Sequence, residues 1–389
     1  MKLLNKIIAI NIILCCIFSA CKKNEPSSIQ KDEFFKSFGG AYENIATDFI
    51  FANNSYYILG NKINEDDVSK LFLIKTDEFG NRIWEKTYSE LEEQATQANQ
   101  IKKLKNKNEF VIIGSIEVDN DSLYSDTYYL HIDADGNVIH HKIIEHAGSN
   151  ETGKYIQELE NGNLTVGVNT IDILNGTNGR FYFPIDLNGE IIDNKIPTLY
   201  QGQIIDISTN YLDGAFRALC FNYANKQEFV EIFENGNEGG GIKSEIDGEY
   251  INFLIDENEN TYVVGKINSG TNGKQDAYIA QIDIPNFSTI WSLELGSSGD
   301  DWASDIAINK SGNLLVTGSV EDKETNTLYN IFVAEVSTSG ELLNYTTIGG
   351  IDNEYGNKIL PSDNSSFVIE ATTHFENSSF ISLIKKDFK

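Results

Sequence analysis

Residues Gly296–Gly350 decide the fold: "GSSGDDWASDIAINKSGNLLVTGSV", then, after a polar loop, "YNIFVAEVSTSGELLNYTTIGG". The stretch holds four β-rich runs. Two alternate apolar and polar residues, and the turns between them carry Ser-Gly-Asn and Ser-Gly-Glu. Gly and Asn supply the positive φ that tight hairpins need, and nothing in the stretch has helical periodicity. Its second run ends on Gly318, and that glycine recurs. The runs "YYILGNK", "FVIIGSI", "NLTVGVN" and "TYVVGKI" place Gly60, Gly114, Gly167 and Gly265 in the same column, and "FVIEATT" places Ala371 there. Successive steps are 54, 53, 98, 53 and 53 residues. The long step is two shortened periods, with "AFRALCF" as the degenerate member between them.

Seven units of four strands with a period near 50 predict an all-β, seven-bladed β-propeller. A β-sandwich array is the competing reading, but its domains run to about twice this period. The reading divides the chain into a signal peptide at 1–20, a lipidated Cys and flexible tether at 21–33, and the propeller at 34–389. The last unit, "NSSFVIEATTHFENSSFISLIKKDFK", runs out after its middle strands. The chain opens instead on "FFKSF", which aligns by its following glycine with Trp84–Tyr88, a fourth strand. The N-terminal strand is therefore predicted to pair with the last blade and close the ring, leaving no open edge there.

Unit six resembles the bacterial propeller repeats of the SBBP type, which combine an acidic pair, "A.DIA.D..GN.YVTG" and "A.VAK.D..G...W". Units one and five match well, with Trp84 and Trp291 at the last position; unit two matches in part, and units three, four and seven are eroded. The resemblance implies the fold and no single activity.

At the N-terminus, "MKLLNKIIAINIILCCIFSAC" joins two lysines, an apolar run too short to span a bilayer, and Phe18-Ser19-Ala20-Cys21. This resembles a bacterial lipoprotein signal, and implies that Cys21 is lipidated and becomes the mature N-terminus. The expected location is the outer membrane, facing the periplasm or the cell surface. "KKNEPSSIQKDE" then reads as a tether, with weak likeness to the surface-export signal of Bacteroidota lipoproteins.

Removing Lys2 and Lys6 from 30 basic side chains leaves 28 against 58 acidic ones, a net charge of −30. Such a chain repels nucleic acid and anionic headgroups, so acyl chains must supply the membrane contact. Of four cysteines only Cys21 and Cys220 survive cleavage. Cys220 lies in the apolar "FRALCF" and reads as a buried thiol.

In a propeller, the second-to-third loops and the blade-to-blade loops share one face. Here that face is acidic: Asp66, Asp67, Asp119, Asp121, Asp300, Asp301 and Asp352 are the candidate binding residues. They suit a cationic partner or divalent ions, and equally suit a surface that keeps a secreted protein soluble. "DADGN" (Asp133–Asn137) resembles the start of an EF-hand loop, but its twelfth position is Ile144 where Glu would close it. It reads as a hairpin turn, so neither a cofactor nor a metal is assigned; surface calcium has no motif behind it. His140 and His141 point to opposite faces of one strand, against a histidine metal site. No G-x-S-x-G elbow or P-loop occurs, so no catalytic residue is assigned. The leading expectation is a monomeric binding or scaffold module for a protein or glycan. The alternatives are a glycan-active enzyme with carboxylates at the channel mouth and a structural accessory of an outer-membrane complex.

Overall fold

The computed structural model describes residues 33–388 except 41–42, 64, 67, 89–93, 119–123, 146–148, 173–175, 193–197, 209–214, 222–225, 240, 244–245, 269, 285–287, 323–327, 351, 364 and 376–377. The Cys21 anchor and its tether lie outside the described residues, as do Asp67, Asp119 and Asp121.

Seven antiparallel four-stranded sheets follow one another along the chain. Blade 1 is β2 (Asn44–Ala52), β3 (Ser55–Ile63), β4 (Ser69–Asp77) and β5 (Arg82–Tyr88). Blade 2 is β6 (Thr96–Lys103), β7 (Glu109–Glu117), β8 (Ser125–Asp133) and β9 (Val138–Ile144). Blade 3 is β10 (Ser149–Glu158), β11 (Leu164–Asp172), β12 (Asn178–Ile185) and β13 (Tyr200–Gln201). Blade 4 is β14 (Ile204–Ile207), β15 (Ala215–Phe221), β16 (Gln227–Phe233) and β17 (Ile242–Lys243). Blade 5 is β18 (Gly248–Ile255), β19 (Thr261–Ile267), β20 (Asp276–Asp283) and β21 (Ser288–Leu295). Blade 6 is β22 (Trp302–Ile308), β23 (Leu314–Asp322), β24 (Leu328–Val336) and β25 (Leu342–Ile348).

Blade 7 is built from both ends of the propeller. β26 (Asn353–Pro361), β27 (Ser366–Phe375) and β28 (Ser378–Asp387) are completed by β1 (Phe34–Phe38), with Phe34 opposite Lys385 and Phe38 opposite Ile381. The closure read from the sequence is the closure observed. The eroded units three and four are the blades whose fourth strands shrink to two residues, β13 and β17.

The hydrophobic core is seven separate seams, one between each pair of neighbouring blades. Tyr57, Leu59 and Leu73 of blade 1 meet Ile101, Phe110 and Ile112 of blade 2. Ile381 and Leu383 of blade 7 meet Phe49 and Ile58 of blade 1, so the ring of seams is continuous. Burying these apolar faces is worth about 25 cal/mol per Å2 removed from water. That burial holds the blades together, because the strand ladders end at each blade's edge.

The recurring glycine has a packing cause. In every blade the first strand carries a bulge, between Ala46 and Asp48 in blade 1 and between Ala303 and Asp305 in blade 6. The bulge pushes a carbonyl onto the second strand. A Cβ at Gly114 would lie 1.8 Å from the Gln97 oxygen, and one at Gly318 would lie 2.0 Å from that of Trp302. Blade 7 carries Ala371 in this column, opposite Gly356, whose own missing Cβ leaves room for Thr317 and Ile331 of blade 6.

The hairpin turns behave as the sequence predicts. Asp133 Oδ1 accepts the Asp135 and Asn137 amides at 2.9 and 2.8 Å, so "DADGN" is a closed Asx turn. Asp77 does the same for Phe79 and Asn81, at 2.9 and 2.8 Å.

Candidate functional site

The first strands β2, β6, β10, β14, β18, β22 and β26 line a central channel. The residue after each bulge forms a column around it: Asp48, Gln100, Tyr155, Asp206, Asn252, Asp305 and Lys358. Each of the seven reaches the next blade. Asp48 accepts the Ile101 amide at 3.0 Å, Gln100 the Ile156 amide at 2.8 Å, and Asp206 the Phe253 amide at 3.4 Å. The Tyr155 hydroxyl donates to the Ile205 carbonyl. Asn252 donates to Asp305 at 3.0 Å, and Asp305 accepts the Ile359 amide at 2.8 Å. Lys358 closes the circle, its Nζ 3.5 Å from Asp48 Oδ1. Five of these are bonds to backbone donors or acceptors that burial would otherwise leave unsatisfied, at a cost of about 1–3 kcal/mol each, and the other two join side chain to side chain.

The ring's electrostatics follow from crowding charges in a narrow bore. Burial pushes the Asp305 carboxyl up to about 6 against the pull of Lys358. Burial likewise raises Asp206. Burial opposes the Lys358 ammonium, but Asp48, Asp305 and Asp206 around it hold its pKa above the ordinary value. Lys102 and Lys154 line the same channel and are lowered, by burial first. On β27, directly across the ladder from Lys358, fully buried Glu370 is pushed up to about 8 by burial. Sequence reasoning missed this column. The signal was present: two positions after a small residue, in Ala46-x-Asp48, Ala98-x-Gln100, Gly153-x-Tyr155, Ala303-x-Asp305 and Gly356-x-Lys358, stands a group able to hydrogen-bond.

The loop face carries a second arrangement. Antiparallel order puts the starts of first and third strands and the ends of second strands on that face. Four rings from blades 6 and 7 meet there: Trp302 (start of β22), Tyr329 (in β24), Tyr355 (in β26) and His374 (end of β27). Trp302 lies 5.0 Å from Tyr329 and stacks on Tyr355 at 5.9 Å, 22° between planes. Tyr355 meets His374 edge-on at 5.4 Å. The three larger rings are half-buried, and His374 is exposed. Carboxylates surround them. Burial raises the Tyr329 hydroxyl, and Glu321, Asp300 and Asp301 add to it. Burial raises Glu354, and Asp352 adds to it.

The sequence-named acids fall into different settings. Asp66 is exposed in a turn, and Asp352 is half-buried beside the ring cluster. Asp300 is partly exposed, 3.9 Å from Lys274. Asp301 is fully buried: it accepts the Ser297 amide at 2.5 Å, the Glu321 amide at 2.7 Å and the Ser297 hydroxyl at 3.3 Å. Its carboxylate shapes its own loop. His131 is also buried, bonded through Nε2 to Glu109 at 2.9 Å and through Nδ1 to the Leu187 carbonyl at 3.2 Å. Cys220 is buried and its thiol is pushed up to about 12, chiefly by desolvation. Among the described residues, no three His, Cys, Asp or Glu side chains converge as a metal site requires.

Solved structures share the architecture. A puromycin-hydrolysing peptidase of Mycobacterium tuberculosis superposes with a TM-score of 0.52 at 10% identity, over 88% of this chain and 51% of that one. A puromycin hydrolase S511A mutant complexed with PGG gives 0.54 at 10% identity, over 88% and 52%. The chain thus spans about half the length of these hydrolases. BBS1N, in its complex with ARL6DN, gives 0.50 at 11% identity, over 92% and 98%. At such identities the likeness is one of fold. No known protein family and no curated protein sequence matches the chain.

Proposed function

We propose that the protein is a membrane-anchored recognition module of the SBBP-type propeller class. In this reading it is a monomeric bacterial outer-membrane lipoprotein, held through Cys21 and facing the periplasm or the cell surface, that presents its acidic loop face to a protein or glycan partner. The observation that carries this reading is the ring cluster of Trp302, Tyr329, Tyr355 and His374 among Asp300, Glu321, Asp352 and Glu354. Half-buried aromatic faces bordered by carboxylates suit a cationic side chain or a sugar ring, and such faces anchor most binding energy at recognition surfaces. Seven stiff seams behind the loops keep that face preorganised.

Cross-linking and pull-down from intact cells tests location and partner together. Wild type should recover a partner from the membrane fraction, Cys21→Ser should move the protein to the soluble fraction, and Trp302→Ala should lose the partner with its melting curve unchanged. Recovery undiminished both by Trp302→Ala and by joint neutralisation of Asp66, Asp300 and Asp352 would sink the reading.

A second reading, a glycan-active enzyme, draws on carboxylates clustered in the channel with raised pKa values, above all Asp305 at about 6. Each ring aspartate, however, is already bonded to a backbone amide of the next blade. Glycan turnover abolished by Asp305→Asn, in a variant that still folds, would favour the enzyme.

A further inference from the structure

The polar ring divides the channel into two unlike cavities. The one beyond the ring, toward the ends of the first strands, has a volume of about 260 Å3 and includes the apolar side chains Ile50, Leu254, Ile308 and Leu360 beside Lys102. The one on the loop-face side, about 240 Å3, is polar throughout: Thr47, Asn99, Gln100, Lys154, Tyr155, Asp206, Asn252 and Lys358 enclose it. With about 30 Å3 per water, it has room for about eight water molecules.

Its charges do not balance. Lys154 and Lys358 face a single carboxylate, Asp206, and Asp206 is already occupied by the Phe253 amide. Lys358 has Asp48 on its other side. Lys154 stands at the bulge position of β10, outside the column that ties blade to blade, and among the described residues it forms no salt bridge, with Asp206 acting on it only through the cavity. Burial first, and then the Lys358 charge, work against its ammonium, and Asp206 pulls the other way without offsetting them. The Thr47 hydroxyl, at the bulge position of β2, is enclosed and has no hydrogen-bond partner. In a chain of net charge −28, a cavity with excess ammonium, an orphan hydroxyl and three side-chain amides is an exception to its surroundings.

The geometry points to an anion-binding site in this cavity: Lys154, Thr47 and Lys358 hold the carboxylate or phosphate group of a small polar molecule that enters from the loop face. The ammonium of Lys154 supplies the charge-assisted bonds. The Thr47 hydroxyl donates the third, and the amides of Asn99, Gln100 and Asn252 meet hydroxyls on the rest of the ligand. The titratable groups around the anion are Lys154, Lys358, Asp206 and the Tyr155 hydroxyl, with Asp48, Asp305 and Lys102 across the ring.

The test is calorimetric titration of the purified full-length protein with inorganic phosphate and, separately, with succinate at constant ionic strength. At least one should bind and raise the melting temperature. Phosphate alone binding assigns a phosphate ligand, and succinate alone assigns a carboxylate. Lys154→Met should weaken that binding at least tenfold and leave the apo melting curve unchanged. Lys154→Arg should keep most of it, and Lys102→Met, across the ring, should not alter it. Binding by neither probe overturns the site. So does equal weakening by Lys102→Met and Lys154→Met, which would mark a diffuse field rather than a pocket. Because the site does not involve Trp302, its failure leaves the recognition reading of the loop face standing.

Discussion

Blades 1 and 2 and blades 3 and 4 meet by different physics. At the first seam Trp84 of β5 lies against Gly136 in the next blade's turn, where a Cβ would come within 2.7 Å of the indole. Gly136 has φ +72°, which only glycine adopts freely, so the turn and the ring fit are one requirement. Tyr88 donates to the Gly136 carbonyl at 2.9 Å, and Lys86 to Asn137 at 2.8 Å. Phe34 on Gly80 and Trp291 on Gly340 repeat the arrangement. At the seam of blades 3 and 4 no such wedge occurs among the described residues, and the fourth strand β13 has two residues. There fully buried Arg180 pairs with Glu238 at 2.6 Å and Glu228 at 3.0 Å, and donates to the carbonyls of Gln201 and Phe221. Where the repeat keeps its aromatic, shape complementarity joins the blades. Where it has eroded, a satisfied ion network does, and such networks specify geometry more than they stabilise it.

The comparison breaks most completely if its premise fails. Both seams presuppose a closed ring, so deleting residues 33–40 should remove cooperative thermal unfolding and open blade 7 to limited proteolysis. A deletion variant that melts like wild type would show that the β1–β28 pairing does not hold the ring. Next in size, Arg180→Ala should cost about 3–5 kcal/mol in denaturant unfolding, because it strands Glu228 and Glu238 in the interior. Arg180→Met with both glutamates changed to Gln should recover most of that. If it does not, the network adds stability as well as geometry. Trp84→Ala should cost about 3 kcal/mol through the cavity it leaves, and the loss should not depend on salt or pH.

The smallest effect sharpens the contrast between a buried charge with partners and one without. Glu370 has one bond, from Asn357 at 3.2 Å to Oε1, and its Oε2 has none. Its folded pKa, about 8, lies above the ordinary 4.5. Between those values the folded chain holds a proton that the unfolded chain has released, so stability falls as pH rises through that window. Glu370→Gln should match wild type near pH 5 and exceed it increasingly as pH rises to 8.5, flattening the profile. An unchanged slope would assign the pH dependence elsewhere.

The seven blades and their closure were legible because their signals are local and repeated. One glycine column, one turn grammar and one displaced fourth strand determine them. The seam chemistry was legible where a tryptophan recurs and illegible at Arg180, whose partners lie 48 and 58 residues away in an eroded unit. The ring cluster escaped for the same reason: its members stand at 302, 329, 355 and 374 and meet only when two blades dock. Asp300 and Asp301 look alike in sequence. One is partly exposed and the other is buried in its own loop, a difference set by backbone direction and not by composition.

The bulge shared by all seven first strands has a consequence for how such a chain finds its order. Near-identical modules can dock on the wrong neighbour, skipping one or inserting a second copy, and still bury comparable apolar area. The bulge fixes where each column residue stands, while its identity runs Asp, Gln, Tyr, Asp, Asn, Asp, Lys around the circle. Most of these joints ask only for a backbone partner. Two ask for a particular side chain: Asn252 with Asp305, and Lys358 with Asp48. The second joins β26 of the last blade to β2 of the first, so the ring carries a specific side-chain address between the two channel strands that stand farthest apart in the sequence.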